Sequence, residues 1–355
     1  MPSFLKTLAL NAFTIAIGSV GGLLGYLVGL PLGWLLGAMV FTVPLAMAGI
    51  PTAISPNLRA LMIAVIGVMI GSSFTPELVA GASSWGGSLL GVAIYVTIIA
   101  LIGVWFCRRI GRQERMTAAF SATPGGLSEM LIIAPTMGAD VRTVSLVHGM
   151  RLVIVLFVVP AIVTSVALRA GGVTMDRSLD LALAMPLPDA LLLVGCAIVG
   201  VPLARLLRFP ASNLTGPLVL SAIVHLAQWT SSHPPQLVIV LAQIVIGASI
   251  ARYFAGARMA QIVSGLAIGG GMTVITVSLA IAFALGFEHI LDIPFATALL
   301  ALVPGGLPEM SLVALSLGID PAFVSVHHVF RVVLVLIVAP VLIPRWARAG
   351  AATKD

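Results

Sequence analysis

The sequence predicts an all-α polytopic membrane protein built from two inverted repeats, each with five transmembrane helices and one broken, re-entrant helical hairpin. Three observations predict it. Hydrophobic residues make up 60% of the chain and charged residues 8%, and the mean hydropathy is +1.17, far outside the range of soluble domains. The phrase TPGGLSEM at 123–130 returns as VPGGLPEM at 303–310. The basic residues fall in loops whose arrangement favours one topology over another.

The apolar runs are long enough for helices that cross a hydrocarbon core about 30 Å thick, rather than for the ten-residue alternating strands of a barrel. The first, NAFTIAIGSVGGLLGYLVGL, continues into further apolar sequence without a small-residue cleavage site, so it reads as a retained span and not a signal peptide. Its Gly18, Gly21, Gly22, Gly25 and Gly29, continued by Gly33 and Gly37, give overlapping small-xxx-small spacings. They predict close helix packing, within the bundle or between protomers of a homo-oligomer. Six segments follow one another in the first half, at 11–30, 32–50, 58–74, 87–107, 116–138 and 143–168. Six more occupy 189–207, 212–230, 236–251, 260–286, 296–317 and 322–343. This divides the chain into a membrane repeat at 1–168, a loop at 169–188 and a second repeat at 189–355.

Duplication accounts for the two sets. Shifting the chain by 180 residues aligns 124–160 with 304–340, and 18 of those 37 positions are identical. Matched polar residues include Glu129 with Glu309, Asp140 with Asp320, Ser145 with Ser325, His148 with His328 and Arg151 with Arg331, which shared greasiness cannot produce. Upstream, LPLGWLLG at 30–37 lies over FPASNLTG at 209–216, and VMIGSSF at 68–74 over IVIGASI at 244–250. Internal symmetry of this kind is common in transporters.

In each repeat the fifth segment is interrupted by PGGL. Proline removes an amide donor and glycine favours non-helical angles, so two half-helices meeting at a turn are expected. Such a break is tolerated only where protein or water surrounds it. Of the 18 basic residues, Arg151 and Arg331 lie within spans; if both broken segments return to the side they entered, the other 16 divide into 14 inside and two, Arg169 and Arg177, outside. If both segments cross, the division is 11 and 5. The positive-inside rule therefore favours re-entrant hairpins. Five crossings per repeat then invert the second copy, with both termini cytoplasmic.

Ser145, His148 and Arg151 recur at spacing three along one helical face, and Ser325, His328 and Arg331 repeat the pattern. An arginine about 13 Å into a span must face protein or water, and such residues usually mark an ion or substrate path. Arg151, Arg331, Ser145 and Ser325 are therefore candidate substrate ligands, together with Gly125, Gly126, Gly305 and Gly306, whose backbone groups lie open at the breaks. Glu129, Glu309, His148 and His328 are candidates for coupling to a proton or sodium ion. The structural alternatives are arginine–glutamate pairing within each repeat, helix capping by Glu129 with Gly126 as N-cap, and glycines that only permit a tight turn. His327 has no counterpart, since position 147 is valine.

Cys107 and Cys196 stand alone, without CxxC or ligand-spaced histidines, so neither a disulfide nor a metal site is expected, nor any cofactor. The longest loop, about 169–188, carries Arg169, Arg177, Asp176 and Asp180 and no recognition motif, which argues against nucleic acid as a partner.

The doubled PGGL-x-EM phrase, the length and the two-copy organisation resemble the AbrB family of bacterial membrane proteins, whose repeat is called the membrane AbrB duplication. The resemblance covers nearly the whole chain and is most specific at 123–151 and 303–331, where Ser128 becomes Pro308. Members are labelled ammonia monooxygenase, transcriptional regulator or transporter. The six histidines, His148, His225, His233, His289, His327 and His328, are mostly scattered over separate segments, unlike a copper oxygenase site. The expectation is a non-enzymatic secondary transporter of a small anionic solute in the bacterial cytoplasmic membrane, working by alternating access at the two PGGL hairpins. The alternative is a membrane-embedded regulator that affects gene expression indirectly, without binding DNA.

Overall fold

The computed structural model describes residues 2–125, 130–131, 133–169, 185–257 and 259–349, and among these all regular structure is helical. In chain order the α-helices are α1 (Pro2–Val28), α2 (Gly33–Met47), α3 (Pro56–Gly71), α4 (Pro76–Gly81), α5 (Gly86–Arg109), α6 (Arg115–Ala122) and α7 (Val141–Arg169). Then come α8 (Leu187–Leu206), α9 (Ser212–Leu226), α10 (Gln236–Ser249), α11 (Met259–Leu291), α12 (Phe295–Leu302), α13 (Leu307–Ser316) and α14 (Pro321–Ala349). The expected loop at 169–188 falls mostly outside the described residues.

Among the described residues, seven helical stretches are long and apolar enough to cross a membrane, carried by α1, α5, α7, α8, α10, α11 and α14. The chain is thus an all-helical, polytopic membrane protein. Among the described residues four other apolar helices are shorter: α13 has 10 residues, and α2, α3 and α9 have 15, 16 and 15. At 1.5 Å per residue α13 reaches about 15 Å and the other three about 22–24 Å, short of a full hydrocarbon core. The short α4 was not expected from the apolar pattern.

The chain forms two compact units, and each draws on both halves of the sequence. The first comprises Met1–Ser83, Pro160–Ala257 and Ser311–Ala322; the second comprises Ser84–Val159, Arg258–Met310 and Phe323–Asp355.

In the first unit the glycines act through what they omit. A Cβ on Gly37 would collide with the Gly21 carbonyl, and one on Gly216 with the Gly200 carbonyl, so α1 crosses α2 and α8 crosses α9 backbone to backbone at matching places in the two repeats. Leu32 and Ala211, which precede α2 and α9, both adopt left-handed backbone at φ 53° and 50°. For a residue with a Cβ that conformation costs roughly 1–2 kcal/mol, and both copies carry it. The third helices exchange partners. Gly67 and Gly71 of α3 seat against the Leu214 and Leu218 carbonyls of α9, while Gly247 of α10 seats against Leu35 of α2. The equivalent helices α3 and α10 lie antiparallel, with Arg59 near the start of α3 bonded to Ser249 at the end of α10, and Ser72 just past α3 bonded to His233 before α10.

The second unit repeats this logic. Equivalent helices α5 and α11 pack antiparallel, pairing Gly91 with Phe287, Tyr95 with Phe283 and Gly103 with Met272. Each also packs against the last helix of the other repeat: Ser88 of α5 bonds His327 of α14 at 2.8 Å, and Gly269 of α11 abuts Met150 of α7.

Candidate functional site

Proline sets the chain break. Residues before proline avoid helical angles, and Thr123 and Val303, ahead of Pro124 and Pro304, end α6 and α12 in extended conformation. Both repeats then close the same three-residue turn, with the Gly125 amide donating to the Thr123 carbonyl and the Gly305 amide to the Val303 carbonyl, each at 2.9 Å. The expectation that glycine supplies unusual angles is not needed here, because Gly125, Gly305 and Gly306 all lie outside the positive-φ set. They supply space instead. A Cβ on Gly125 would sit 2.9 Å from both Met130 and Val335, one on Gly305 would strike the Met310 side chain, and one on Gly306 would strike the Glu309 carboxylate. Val335 belongs to α14, so the first break rests on the last helix of the second repeat.

Gly306 accepts from the Met310 amide as the N-cap of α13, which puts Glu309 at the third helical position with its carboxylate folded back over Gly306. A carboxylate is favoured there by the helix amide ends. Glu309 is nevertheless 2% exposed, and its Oε2 is buried without a hydrogen-bond partner. Gly126 and Glu129 lie outside the described residues.

The two arginines occupy matching places on α7 and α14 but are held differently. Arg331 donates from Nη1 to the Leu302 and Val303 carbonyls, at 3.2 and 3.0 Å, and from Nη2 to the Gly305 carbonyl at 3.3 Å. It thus holds carbonyls at and just beyond the end of α12, among them those of Leu302 and Gly305. Arg151 instead donates from Nη2 to His148 Nδ1 at 2.7 Å. His148 Nε2 in turn donates to the Phe120 carbonyl at 2.9 Å, which fixes the ring tautomer. His328 donates from Nε2 to the Val303 carbonyl at 3.2 Å. Pairing of Arg331 with Glu309 would have been the simpler structural role, but both terminal nitrogens of the guanidinium donate to backbone carbonyls.

Arg151 and Arg331 are 4% and 2% exposed, and they lie within electrostatic range of each other and of the Tyr95 hydroxyl. Each keeps a buried nitrogen without a partner, Nη1 on Arg151 and Nε on Arg331, and so does His328 at Nδ1. Buried polar groups normally find partners; with Thr164 Oγ1 on α7, four such atoms lie on these two matched helices. Ser325 is fully buried on the same helix as Arg331, and Ser145 is half-buried near the start of α7.

Tyr95 is a site residue that sequence reasoning missed. It is fully buried on α5, donates its hydroxyl to the Thr276 carbonyl of α11 at 3.0 Å and packs edge-on against Phe283. A phenol in the middle of a span was the available signal. His327 binds Ser88 and the Phe323 carbonyl and stacks on the Phe323 ring.

The chain matches the family model described as "Transition state regulatory protein AbrB" over residues 34–347. A Bacillus subtilis (strain 168) relative named "Uncharacterized protein YhjN" is 26% identical over 360 residues, covering 94% of this chain and 92% of its own. An Escherichia coli (strain K12) relative named "Putative regulator AbrB" is 27% identical over 333 residues, covering 90% and 91%. No solved structure matches the chain. With the family model spanning all but the two ends of the sequence, this chain belongs to the AbrB family.

Proposed function

We propose that the protein is a secondary transporter of a small anionic solute, with the two repeats inverted and the PGGL breaks forming re-entrant hairpins around the binding centre. The observation that carries this reading is that Arg151 and Arg331, one from each repeat, are both buried within electrostatic range of each other, with a guanidinium nitrogen of each left unpartnered and Arg331 held on the second chain break. Placing an arginine near a bilayer centre costs about 3 kcal/mol on insertion scales, and a purely structural role would be expected to use all of its donors. The antiparallel packing of two pairs of equivalent helices, α3 with α10 and α5 with α11, supports inversion, since repeats related by an axis along the membrane normal would set equivalent helices parallel.

Arg151 and Arg331 bind the anion in this reading, with Ser145, Ser325 and the break glycines beside them. Glu309 and its counterpart Glu129, with His148 and His328, serve the coupling cation. The unpartnered nitrogens are enclosed, so the solute reaches them only after the breaks part from α7 and α14. The protein sits in the cytoplasmic membrane with both termini inside.

The words "regulatory protein" in the family description and "regulator" in the Escherichia coli relative's name favour a second reading, a membrane-embedded protein that alters gene expression indirectly. Reconstituted vesicles separate the two. Gradient-driven uptake of an anion from a mixed panel, lost in Arg151→Ala and in Arg331→Ala, is the transport result; no uptake of any panel member by the folded protein rejects it. Cysteines introduced beside Arg142 and Arg205 test the topology. Cys107 and Cys196 are buried and give little background, so both introduced sites should resist an impermeant external thiol reagent in intact cells.

A further inference from the structure

The turns that follow α5 and α11 share a backbone and carry opposite charge. Under the 180-residue shift, RRIGRQER at 108–115 lies over EHILDIPF at 288–295. Arg112 and Asp292 occupy the same place in left-handed backbone, at φ 51° and 54°. The next amide closes both turns, Gln113 donating to the Cys107 carbonyl at 3.1 Å and Ile293 to the Phe287 carbonyl at 3.3 Å. The side chains do not follow the backbone. Four arginines and one glutamate give the first turn a net charge of +3, whereas Glu288 and Asp292, with His289 neutral, give the second −2.

The second turn supplies its own anion. Glu288 Oε1 accepts from the Phe295 amide at 3.4 Å, so an acid at the end of α11 caps the start of α12. In the first turn Arg108 stands in that place and can only donate, and the Glu114 side chain makes no capping bond to α6. The carboxyl end of α5 favours Arg108 and Arg109, but nothing comparable favours a cation at Arg115, the first residue of α6, or a long side chain at the left-handed Arg112. An anion from outside the chain would serve here as Glu288 serves in the second repeat.

The surface that leads to the turn identifies the anion. Leu90, Ile94, Thr97, Leu101 and Trp105 are exposed at spacings of three and four, a single stripe along α5, and the spacing continues to the exposed Arg108. Leu101 is 68% exposed, Trp105 58%, and Ile110 inside the turn 59%. An apolar stripe that ends in arginines matches an acyl chain that ends in an anionic headgroup, with the Trp105 indole at the interface between them. Free phosphate would leave the stripe unused, and a zwitterionic headgroup brings a cation that the arginines repel. We propose that the turn at 108–115 docks an anionic phospholipid of the surrounding bilayer, its phosphate on Arg108 and Arg112 and an acyl chain along Leu101 and Trp105. This site does not depend on the carrier reading.

The test uses the full-length protein in phosphatidylcholine nanodiscs that contain a minor share of brominated phosphatidylglycerol or, in a parallel sample, the same share of brominated phosphatidylcholine. Bromine quenches indole fluorescence on contact, and the Trp105 signal is that of the parent less that of Trp105→Phe. The anionic lipid should quench Trp105 about twofold or more over the zwitterionic one. Arg108→Gln combined with Arg112→Gln, both exposed, should remove that excess. Arg205→Gln combined with Arg208→Gln removes the same charge from another exposed site and should leave it. Equal quenching of Trp105 by the two lipids overturns the docking site, as does an excess that persists in Trp105→Phe. Equal loss in the two double variants would mean diffuse attraction and overturns it too. Removal of the excess by inorganic phosphate would make the turn a site for soluble anions and overturns the lipid assignment. The lipid comparison needs only Trp105→Phe, a change at an exposed ring that stays aromatic.

Discussion

Replacing Arg331 by methionine should destabilise the protein more than replacing Arg151 by methionine, although the two arginines occupy matching places in the repeats. Methionine keeps much of the stem volume and removes the charge. Both guanidiniums are buried to a similar degree, at 2% and 4% exposure, so relief of the desolvation cost is about the same in each variant and cancels in the comparison. What remains is the set of partners left behind. Loss of Arg331 strips the Leu302 and Gly305 carbonyls of the donors that hold them, whereas Val303 retains the Gly305 amide and His328. Loss of Arg151 strips one group, His148 Nδ1. An abandoned buried polar group costs about 1–3 kcal/mol, so Arg331→Met should be the less stable variant by about that amount. Unfolding titrations in mixed micelles measure the difference at constant lipid and detergent. Equal stability, or a larger loss at Arg151, would refute the claim that Arg331 holds the end of α12.

Other outcomes follow from the same contacts. Gly216→Ala should lower stability by about 1–3 kcal/mol because its Cβ would strike the Gly200 carbonyl. Gly195→Ala and Gly286→Ala, with nothing within 4 Å of the added carbon, should raise stability by up to about 1 kcal/mol through helix propensity; thermal unfolding of the purified variants distinguishes these. Tyr95→Phe deletes one neutral hydrogen bond and keeps the ring contact with Phe283, so a stability loss of about 0.5–1.5 kcal/mol is expected. Under the carrier reading, the same variant should also weaken anion binding in calorimetry. Burial, and then the neighbouring His225 ring, push the His233 imidazole below its usual range. The unfolded chain therefore binds the proton first, and stability should fall as pH drops through and below about 6.5. His233→Gln should flatten that slope in pH-dependent unfolding, by a modest amount because the ring is partly exposed.

The sequence made the membrane class and the duplication legible because matched polar residues inside apolar spans have no cause other than common descent of the two halves. Segment positions were legible too: α5, α7, α11 and α14 lie on the expected runs at 87–107, 143–168, 260–286 and 322–343, with ends moved by a few residues where polar caps extend them. Pro124 and Pro304 announced the breaks. The exchange of helices was not legible. Gly67 and Gly71 serve α9, some 150 residues away, and a small residue carries no label for the helix it will meet. Tyr95 was overlooked for a related reason, since its partner is a backbone carbonyl 181 positions along the chain and leaves no pattern in side-chain letters. Identical letters also concealed different bonding, as Arg151 and Arg331 demonstrate.

That last asymmetry has a use under the proposed mechanism. In a carrier of inverted repeats, the change between inward and outward states exchanges the conformations of the two halves. The exchanged state would have Arg151 holding the Ala122, Thr123 and Gly125 carbonyls, which match Leu302, Val303 and Gly305, and Arg331 donating to His328 Nδ1. Arg331→Met then removes the anchor of the present state, and Arg151→Met removes the anchor of the exchanged one. A single cysteine placed at Ser145 reports the balance through its rate of reaction with a thiol reagent in reconstituted vesicles. The two variants should move that rate in opposite directions from the parent, by a factor set by the one or two bonds lost. Movement in the same direction would mean that the differing arginine contacts are fixed features of each repeat and do not trade places during transport.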